Sequence, residues 1–205
     1  MMRVEEHLVP TAFSRGVNVG ATFAYMGSLM TFLAKGSETG GRFALMEYYT
    51  KPGNEPPPHV HKREHELYFV LEGAMRFYCE DKTLDIGVGD VVFLPQSKAH
   101  AFTCTSNVVR PLIFVQATGE DPVALDRYFL AMGEPAGSMV LPESAVTYAI
   151  ADPEHAIRVG ASNGIRVLSP SEAQQVLPQY PGFGAPVRSS SVHLSDRQSS
   201  IQEKR

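Results

Sequence analysis

Short apolar segments separated by turn-forming residues fill the chain between residues 21 and 117. Glycines, prolines or paired charged residues interrupt the apolar segments, and no helical period lies between them. The clearest predicted strands are 29–34, 43–50, 67–71, 74–79, 83–86, 91–94, 101–105 and 108–117. Many short strands at close spacing without intervening helices predict an all-β sandwich or barrel of antiparallel strands.

Beyond residue 118 the pattern changes from strands to short helices. Asp121-Pro122 is typical of a helix start, and the sequence predicts a helix to Met132 that Gly133 ends. A second short helix is predicted from Asp152-Pro153 to Asn163-Gly164. The predicted organisation is an N-terminal extension (1–20), a barrel (21–120), a helical extension (121–168) and a flexible tail (169–205).

Composition narrows the class of partner. The chain has 205 residues, 43% of them hydrophobic, and a formal net charge of −4. It has no long basic run, so we expect a small-molecule partner rather than a nucleic acid. The apolar stretch 17–34 is broken by polar residues, which disfavours a membrane segment and leaves the cytoplasm as the default location. Cys79 and Cys104 show no metal or redox spacing and are predicted to be buried thiols, although one disulfide stays open.

Three histidines and one glutamate form the strongest chemical pattern in the sequence. His59 and His61 are two residues apart, so on a strand both imidazoles point to the same face. Glu66 stands at the start of the next strand, and His100 comes from a separate strand that follows the Leu94-Pro95 turn. The four side chains can therefore meet at one point between neighbouring strands.

Neighbouring polar residues receive other interpretations. His65 alternates with Glu66 and is predicted to point away from that point, so it is not a ligand candidate. Glu64 shares the face of Glu66 by parity and is predicted to lie at the rim or behind a ligand. The remaining histidines lie in the end segments without a partner pattern: His7, His155 and His193.

Three imidazoles and a carboxylate suit one divalent metal ion, such as iron, nickel, manganese, copper, cobalt or zinc. Octahedral ions among these keep one or two positions for water, oxygen or substrate. The pattern therefore predicts a reactive site rather than a structural one.

The spacing of these residues resembles the two sequence motifs of the cupins. The first motif, G-x5-H-x-H-x4-E-x6-G, is matched by Gly53, His59, His61, Glu66 and Gly73. The second motif, G-x5-P-x-G-x2-H-x3-N, is matched by Gly89, Pro95 and His100, with Ser97 in place of the glycine and Cys104 in place of the asparagine. The resemblance implies a cupin jelly-roll β-barrel, or double-stranded β-helix, with short C-terminal helices. Ser97 puts the turn conformation in question, because glycine adopts unusual backbone angles more easily.

The run from Pro56 to Gly73 is similar to the first motif of quercetin 2,3-dioxygenase-type cupins, and weaker similarity extends over residues 20–168. This resemblance implies that the anionic oxygen of a flavonol, or of another enol- or phenol-bearing aromatic, binds the metal before dioxygen opens the ring. Glu66 is then the catalytic residue, as a ligand or as the base that accepts the substrate proton. Burial in an apolar barrel is expected to raise its pKa.

Strand parity also predicts an apolar substrate pocket for a flat aromatic ligand. Its candidate residues are Tyr68, Met75, Phe77, Phe102 and Phe114. Ordinary core packing is the competing interpretation for all of them except Tyr68.

Two other functions stay open at this point. The metal could serve a non-oxidative isomerase, cyclase or lyase as a Lewis acid, or the protein could bind a small molecule without turnover. Family resemblance and exposed sheet edges also favour a homodimer.

Overall fold

A computed structural model describes residues 10–142 and 153–182. Asp152 and the part of the predicted tail after residue 182 lie outside the described residues. The strands are β1 (Thr22–Tyr25), β2 (Ser28–Ala34), β3 (Phe43–Tyr49), β4 (His59–His61), β5 (Glu64–Glu72), β6 (Ala74–Cys79), β7 (Lys82–Gly87), β8 (Val91–Leu94), β9 (His100–Cys104), β10 (Arg110–Ala117), β11 (Glu134–Pro135) and β12 (Ile165–Val167). The helices are α1 (Leu125–Met132), α2 (Pro153–Ser162) and α3 (Pro170–Val176), with 3-10 turns at Val19–Ala21 and Gly36–Glu38.

The strands form two antiparallel sheets. One has seven strands in the order β11-β1-β2-β3-β10-β5-β8, and the other has five in the order β12-β4-β9-β6-β7. The all-β prediction is confirmed, and the architecture is a jelly roll of two facing sheets rather than a barrel closed by hydrogen bonds.

The core lies between the sheets, and strands such as β5, β8 and β10 alternate buried and more exposed residues. In β5, Glu66, Tyr68 and Val70 are buried, whereas Phe69 between them is 38% exposed. The most deeply buried apolar side chains come from both sheets, among them Met30, Met46, Met75, Phe77, Phe102 and Ile113. This core holds the two sheets together.

Two motif turns require left-handed backbone angles. Gly73 has a φ of +82°, and a Cβ there would lie 2.2 Å from the carbonyl oxygen of Val108, so glycine is required. Ser97, at the position where the family motif has glycine, adopts a φ of +64° and donates its backbone N–H to the carbonyl of His61 at 2.8 Å. The turn therefore keeps its conformation despite the serine.

The helical region differs from the prediction at its start. Helix α1 begins at Leu125 rather than after Asp121-Pro122, because the backbone N–H of Val123 donates to the carbonyl of Gly41 and holds that segment against the sheet. Gly133 caps the C-terminus as predicted, and the predicted second helix is α2.

The strand β12 adds to the five-stranded sheet from beyond the predicted barrel, and α3 lies within the predicted tail. Within residues 10–142 and 153–182, no helix has the length and apolar character needed to cross a membrane. Both cysteines are free.

Candidate metal centre

The four predicted ligands converge in the space between the two sheets. His59 and His61 come from β4 and His100 from β9, all in the five-stranded sheet, while Glu66 comes from β5 in the seven-stranded sheet. All four residues are buried, and one ligand atom from each lies within 4.8 Å of the others. A bound cation would therefore link the two sheets.

Local sequence explains how β4 presents its histidines. Pro56-Pro57-Pro58 holds the preceding chain extended, and His59 then pairs with His100 directly opposite on β9. Val60 points to the other face of the sheet, into a small apolar cluster with residues of α3. The alternation leaves His59 and His61 on the interior face.

Hydrogen bonds fix the orientation of all three imidazoles. The Nδ1 atom of His59 lies 2.8 Å from the carbonyl oxygen of Pro57, and that of His100 lies 3.1 Å from the carbonyl of Lys98. The Nδ1 atom of His61 lies 3.0 Å from Oε1 of Glu64. Since these oxygens can only accept, each Nδ1 donates, and in the neutral ring each Nε2 carries a lone pair.

The unbonded polar atoms at the centre fit a cation. Among the described residues, His61 Nε2 and Glu66 Oε2 are buried side-chain atoms without a hydrogen-bond partner. His59 Nε2 and His100 Nε2 face each other at 3.2 Å, and His100 Nε2 lies 3.2 Å from Glu66 Oε2. Leaving such atoms without partners is costly, whereas a divalent ion would accept all four lone pairs. The residues present therefore fit a metal ion of the predicted type.

The electrostatics differ from the prediction for Glu66. Burial acts to raise its pKa, but the neighbouring His61 and His100 outweigh burial and lower the pKa to about 2. The expected raised pKa is wrong, because the sequence did not reveal how closely the imidazoles surround the carboxylate. A carboxylate that stays ionised suits the role of ligand better than that of base.

The pKa values of His59 and His61 shift in opposite directions. Burial, together with the nearby His100 and His61, lowers the pKa of His59 to about 3. Burial also acts to lower the pKa of His61, but the carboxylates of Glu66 and Glu64 outweigh it and raise that pKa. Neutral His59 is therefore available as a ligand over the whole physiological range.

A small cavity lies against the ligands. Its volume is about 40 Å³, enough for a few water molecules. Strands and helices α1 and α2 supply its lining residues: Tyr25, Tyr48, Pro56, Pro57, His59, Glu66, Tyr68, Phe102, Ile113, Leu125, Tyr128, Phe129, Ala156, Gly160, Ile165 and Val167. None of them is lysine or arginine, so the wall is apolar and aromatic apart from the ligands and tyrosine hydroxyls.

Of the predicted pocket residues, two line this cavity. Tyr68 donates its hydroxyl to Glu66 Oε1 at 3.0 Å, and Phe102 packs near its ring. Met75 and Phe77 are buried in the core, where the Phe77 ring contacts both Tyr68 and Phe102 from outside the cavity.

Phe114 lies on the opposite face of its strand from the one predicted. Strand β10 has an irregularity between Arg110 and Pro111, and after it Ile113 and Val115 face the interior. The Phe114 ring instead contacts Phe43 on the outer face. The register of β10 against its neighbours, which the local pattern does not show, decides this orientation.

Three further residues of the site were not identified as functional from the sequence. The hydroxyls of Tyr25 and Tyr128 meet at 2.9 Å at the cavity wall, and Tyr48 lies nearby with its pKa raised by burial. They come from β1, α1 and β3, far apart in the chain. No sequence spacing connects them to the histidines, so only the tertiary structure reveals them.

The predicted non-ligands take the expected places. His65 points away from the centre and accepts a hydrogen bond at Nδ1 from the backbone of Gln96 at 2.9 Å. Glu64 lies on the interior face, 1% exposed, behind His61.

Comparison with protein families agrees with this geometry. Residues 46–115 match the family description "Cupin domain". This region contains all four converging ligands. The part of the chain from residue 46 to residue 115 is therefore similar to a cupin domain. Its candidate metal centre has the three-histidine, one-glutamate composition typical of cupins.

Individual relatives are distant. The alginate biosynthesis protein AlgA of Pseudomonas aeruginosa is 26% identical over 107 residues, which is 50% of this chain. The matched part spans only 22% of the length of that curated relative. Among solved structures, KdgF from Halomonas sp. is 15% identical with a TM-score of 0.45, covering 54% of this chain and 96% of its own. A predicted oxalate decarboxylase from Thermotoga maritima is 23% identical with a TM-score of 0.41, covering 44% and 80%.

Proposed function

We propose that this cupin is a metal-dependent oxidoreductase that cleaves an aromatic ring with dioxygen, acting on a flavonol or a similar enol- or phenol-bearing aromatic. One observation carries the proposal. Two of the four converging residues, His59 and Glu66, line a cavity whose other described lining residues are apolar or aromatic and include no lysine or arginine. Such a wall favours a flat, uncharged ligand over a carboxylate or phosphate, which would have no cationic side chain to pair with.

A metal ion bound there would supply Lewis acidity and redox chemistry to the substrate oxygen. His59, His61, His100 and Glu66 would hold it, with the hydroxyl of Tyr68 orienting the carboxylate through Glu66 Oε1. Burial and the adjacent Glu66 raise the pKa of Tyr68 well above its ordinary value, so this hydroxyl keeps its proton. Residues of helices α1 and α2 line the cavity and would limit the access of bulk water to the reacting atoms.

The size of the substrate requires more space than the small cavity offers. Drug-sized ligands occupy roughly 300–1,000 Å³, whereas this cavity holds about 40 Å³. A second cavity of about 550 Å³ shares Pro57 and Val167 with the first, and its other described walls include Ile157, Leu168 and Tyr180. Movement of the shared residues would join the two spaces, so an aromatic ligand could reach the metal centre from the larger one.

The test combines metal loading with oxygen measurement. Protein loaded separately with Fe²⁺, Ni²⁺, Mn²⁺, Cu²⁺, Co²⁺ or Zn²⁺ is incubated with a panel of flavonols and catechols in an oxygen electrode. We expect oxygen uptake to match substrate loss for at least one metal, and the His100→Ala variant to show neither. Cleavage of the ring under strictly anaerobic conditions would overturn the dioxygenase assignment.

A non-oxidative reaction is the second candidate, and the tyrosine pair favours it. Tyr25 and Tyr128 bring two hydroxyls together at 2.9 Å in the wall of the same cavity. Hydroxyls beside a Lewis-acidic ion could move protons in an isomerase, cyclase or lyase reaction. Product formation that is unchanged by the removal of oxygen, and lost in Tyr128→Phe, would support this candidate instead.

A further inference from the structure

A buried carboxylate connects a metal ligand with the helix that covers the site. Glu64 lies on β5, 1% exposed, on the same face as Glu66. Its Oε1 accepts a hydrogen bond from His61 Nδ1 at 3.0 Å, and its Oε2 accepts one from the backbone N–H of Ala124 at 2.8 Å. Both oxygens therefore act as acceptors, each towards a different structural element.

The second of these contacts lies at the start of α1. Ala124 is the N-cap residue of α1, and its methyl side chain offers no acceptor, so Glu64 supplies a negative charge to this helix end from another strand. Three side chains of α1 line the cavity at the metal centre: Leu125 at the first position of the helix, Tyr128 and Phe129. The same carboxylate thus contacts both the metal side and the cover of the cavity.

We propose that Glu64 is a positioning residue that fixes the Nε2 lone pair of His61 towards the metal and couples metal binding to the docking of α1 over the cavity. This inference rests on the metal centre of the proposed function. It does not depend on which reaction the site performs. A cation held by His61 would draw electron density through the ring and strengthen the bond from Nδ1 to Glu64, which orders Glu64 and the helix start together.

Glutamine is the informative replacement because it keeps the shape and removes one acceptor. In Glu64→Gln the amide can accept from His61 or from Ala124, but its NH₂ group must face the other. If the NH₂ group faces His61, Nδ1 becomes the acceptor and the proton moves to Nε2, where it blocks the metal. If it faces Ala124, two donors oppose each other and the start of α1 loosens.

The experiment uses Co²⁺ as the probe and the full chain. Co²⁺ affinity is measured by competition with a chromophoric chelator, and hydrogen exchange of the α1 backbone is measured with and without Co²⁺. We expect Glu64→Gln to bind Co²⁺ about 10- to 100-fold more weakly than the wild type. We also expect Co²⁺ to slow exchange at the start of α1 in the wild type and to lose this effect in the variant.

A readout without metal separates positioning from a general loss of stability. Nitrogen NMR of the metal-free protein at alkaline pH reports which nitrogen of His61 carries the proton. We expect the proton on Nδ1 in the wild type, and on Nε2 or shared between both nitrogens in Glu64→Gln. Glu47→Gln is the matched control, because Glu47 is also a buried carboxylate, 5% exposed, but bonds Arg110 instead of a ligand.

The outcomes separate this inference from the proposed function. If the wild type fails to bind Co²⁺, the metal centre itself is overturned. If the wild type binds Co²⁺ and Glu64→Gln matches it in affinity and α1 exchange, only the role of Glu64 is overturned. Should Glu64→Gln fail to fold, Glu64→Asp takes its place, since the shorter carboxylate cannot reach both His61 and Ala124. Wild-type affinity and exchange in Glu64→Asp would equally overturn the proposal.

Discussion

The interior between the two sheets has two ends, the candidate metal centre and the closely packed apolar core. The same strands contribute residues to both ends. On β5, Glu66 belongs to the candidate metal centre, whereas Val70, four residues further along the same face, is part of the apolar core. On β9, His100 is a candidate ligand and Cys104 is a buried free thiol in the core. One end thus collects buried polar atoms that suit a cation, and the other end is closely packed. Position along a strand, and not only the face, therefore separates the candidate metal centre from the apolar core.

The packed end should show the largest effect on stability. Replacing Phe77, which is 0% exposed and contacts Tyr68 and Phe102, by alanine leaves a cavity in the core. We expect Phe77→Ala to lower the free energy of unfolding by about 3–5 kcal/mol, measured by urea denaturation of the metal-free protein. A loss below about 1 kcal/mol would contradict the division between the two ends.

The metal end should respond in the opposite way. His100→Ala removes one of the four candidate ligands, so we expect Co²⁺ affinity to fall by more than about 100-fold. The metal-free protein should keep its stability, because the substitution also removes one of the buried polar groups that are costly without a partner. Saturating Co²⁺ should raise the Tm of the wild type by several degrees and leave that of His100→Ala unchanged. Equal stabilisation of both proteins by Co²⁺ would contradict the ligand assignment.

Tyr68 lies at the boundary of the two ends, which makes Tyr68→Phe a finer test. The variant keeps the ring in the core and removes only the hydrogen bond to Glu66 Oε1. We expect about tenfold weaker Co²⁺ binding with little change in the urea midpoint. A large loss of stability with unchanged affinity would place Tyr68 in the core alone.

A surface ion pair that lies outside both ends of the interior should have the smallest effect on stability, so it serves as a reference. Arg15 lies 2.7 Å from Glu38, and this hydrogen-bonded pair lowers the pKa of Glu38 to about 2 from its ordinary 4.5. A lowered pKa stabilises the fold above pH 4.5, and this contribution disappears as the pH falls through about 2. Both side chains are about a quarter exposed, so solvent screening reduces the effect.

We therefore expect Glu38→Gln to cost at most about 1 kcal/mol at pH 7 and nothing near pH 2, measured by urea denaturation across this range. Co²⁺ affinity at pH 7 should not change. A difference from the wild type that grows as the pH falls would contradict the assigned sign.

The local pattern predicted the strands well where the alternation is strong. The predicted strand Ala74–Cys79 agrees with β6 at both ends, and Val91–Leu94 agrees with β8, because glycines and charged turn residues bound them clearly. The predicted start of α1 was wrong, because the backbone N–H of Val123 donates a hydrogen bond to the carbonyl of Gly41, a partner distant in the sequence. The short strand β12 was not predicted, because three residues carry too little periodicity and gain their strand form from pairing with β4.

A period of two residues and a matched motif spacing suffice to place the four candidate ligands, His59, His61, Glu66 and His100, on interior faces. What surrounds these side chains follows only from the tertiary structure. The lowered pKa of Glu66, the outward face of Phe114 and the contact of Glu64 with α1 all depend on which distant strands and helices become neighbours. Electrostatic and packing energies follow distances in space, and these distances are fixed only when the two sheets and the covering helices come together.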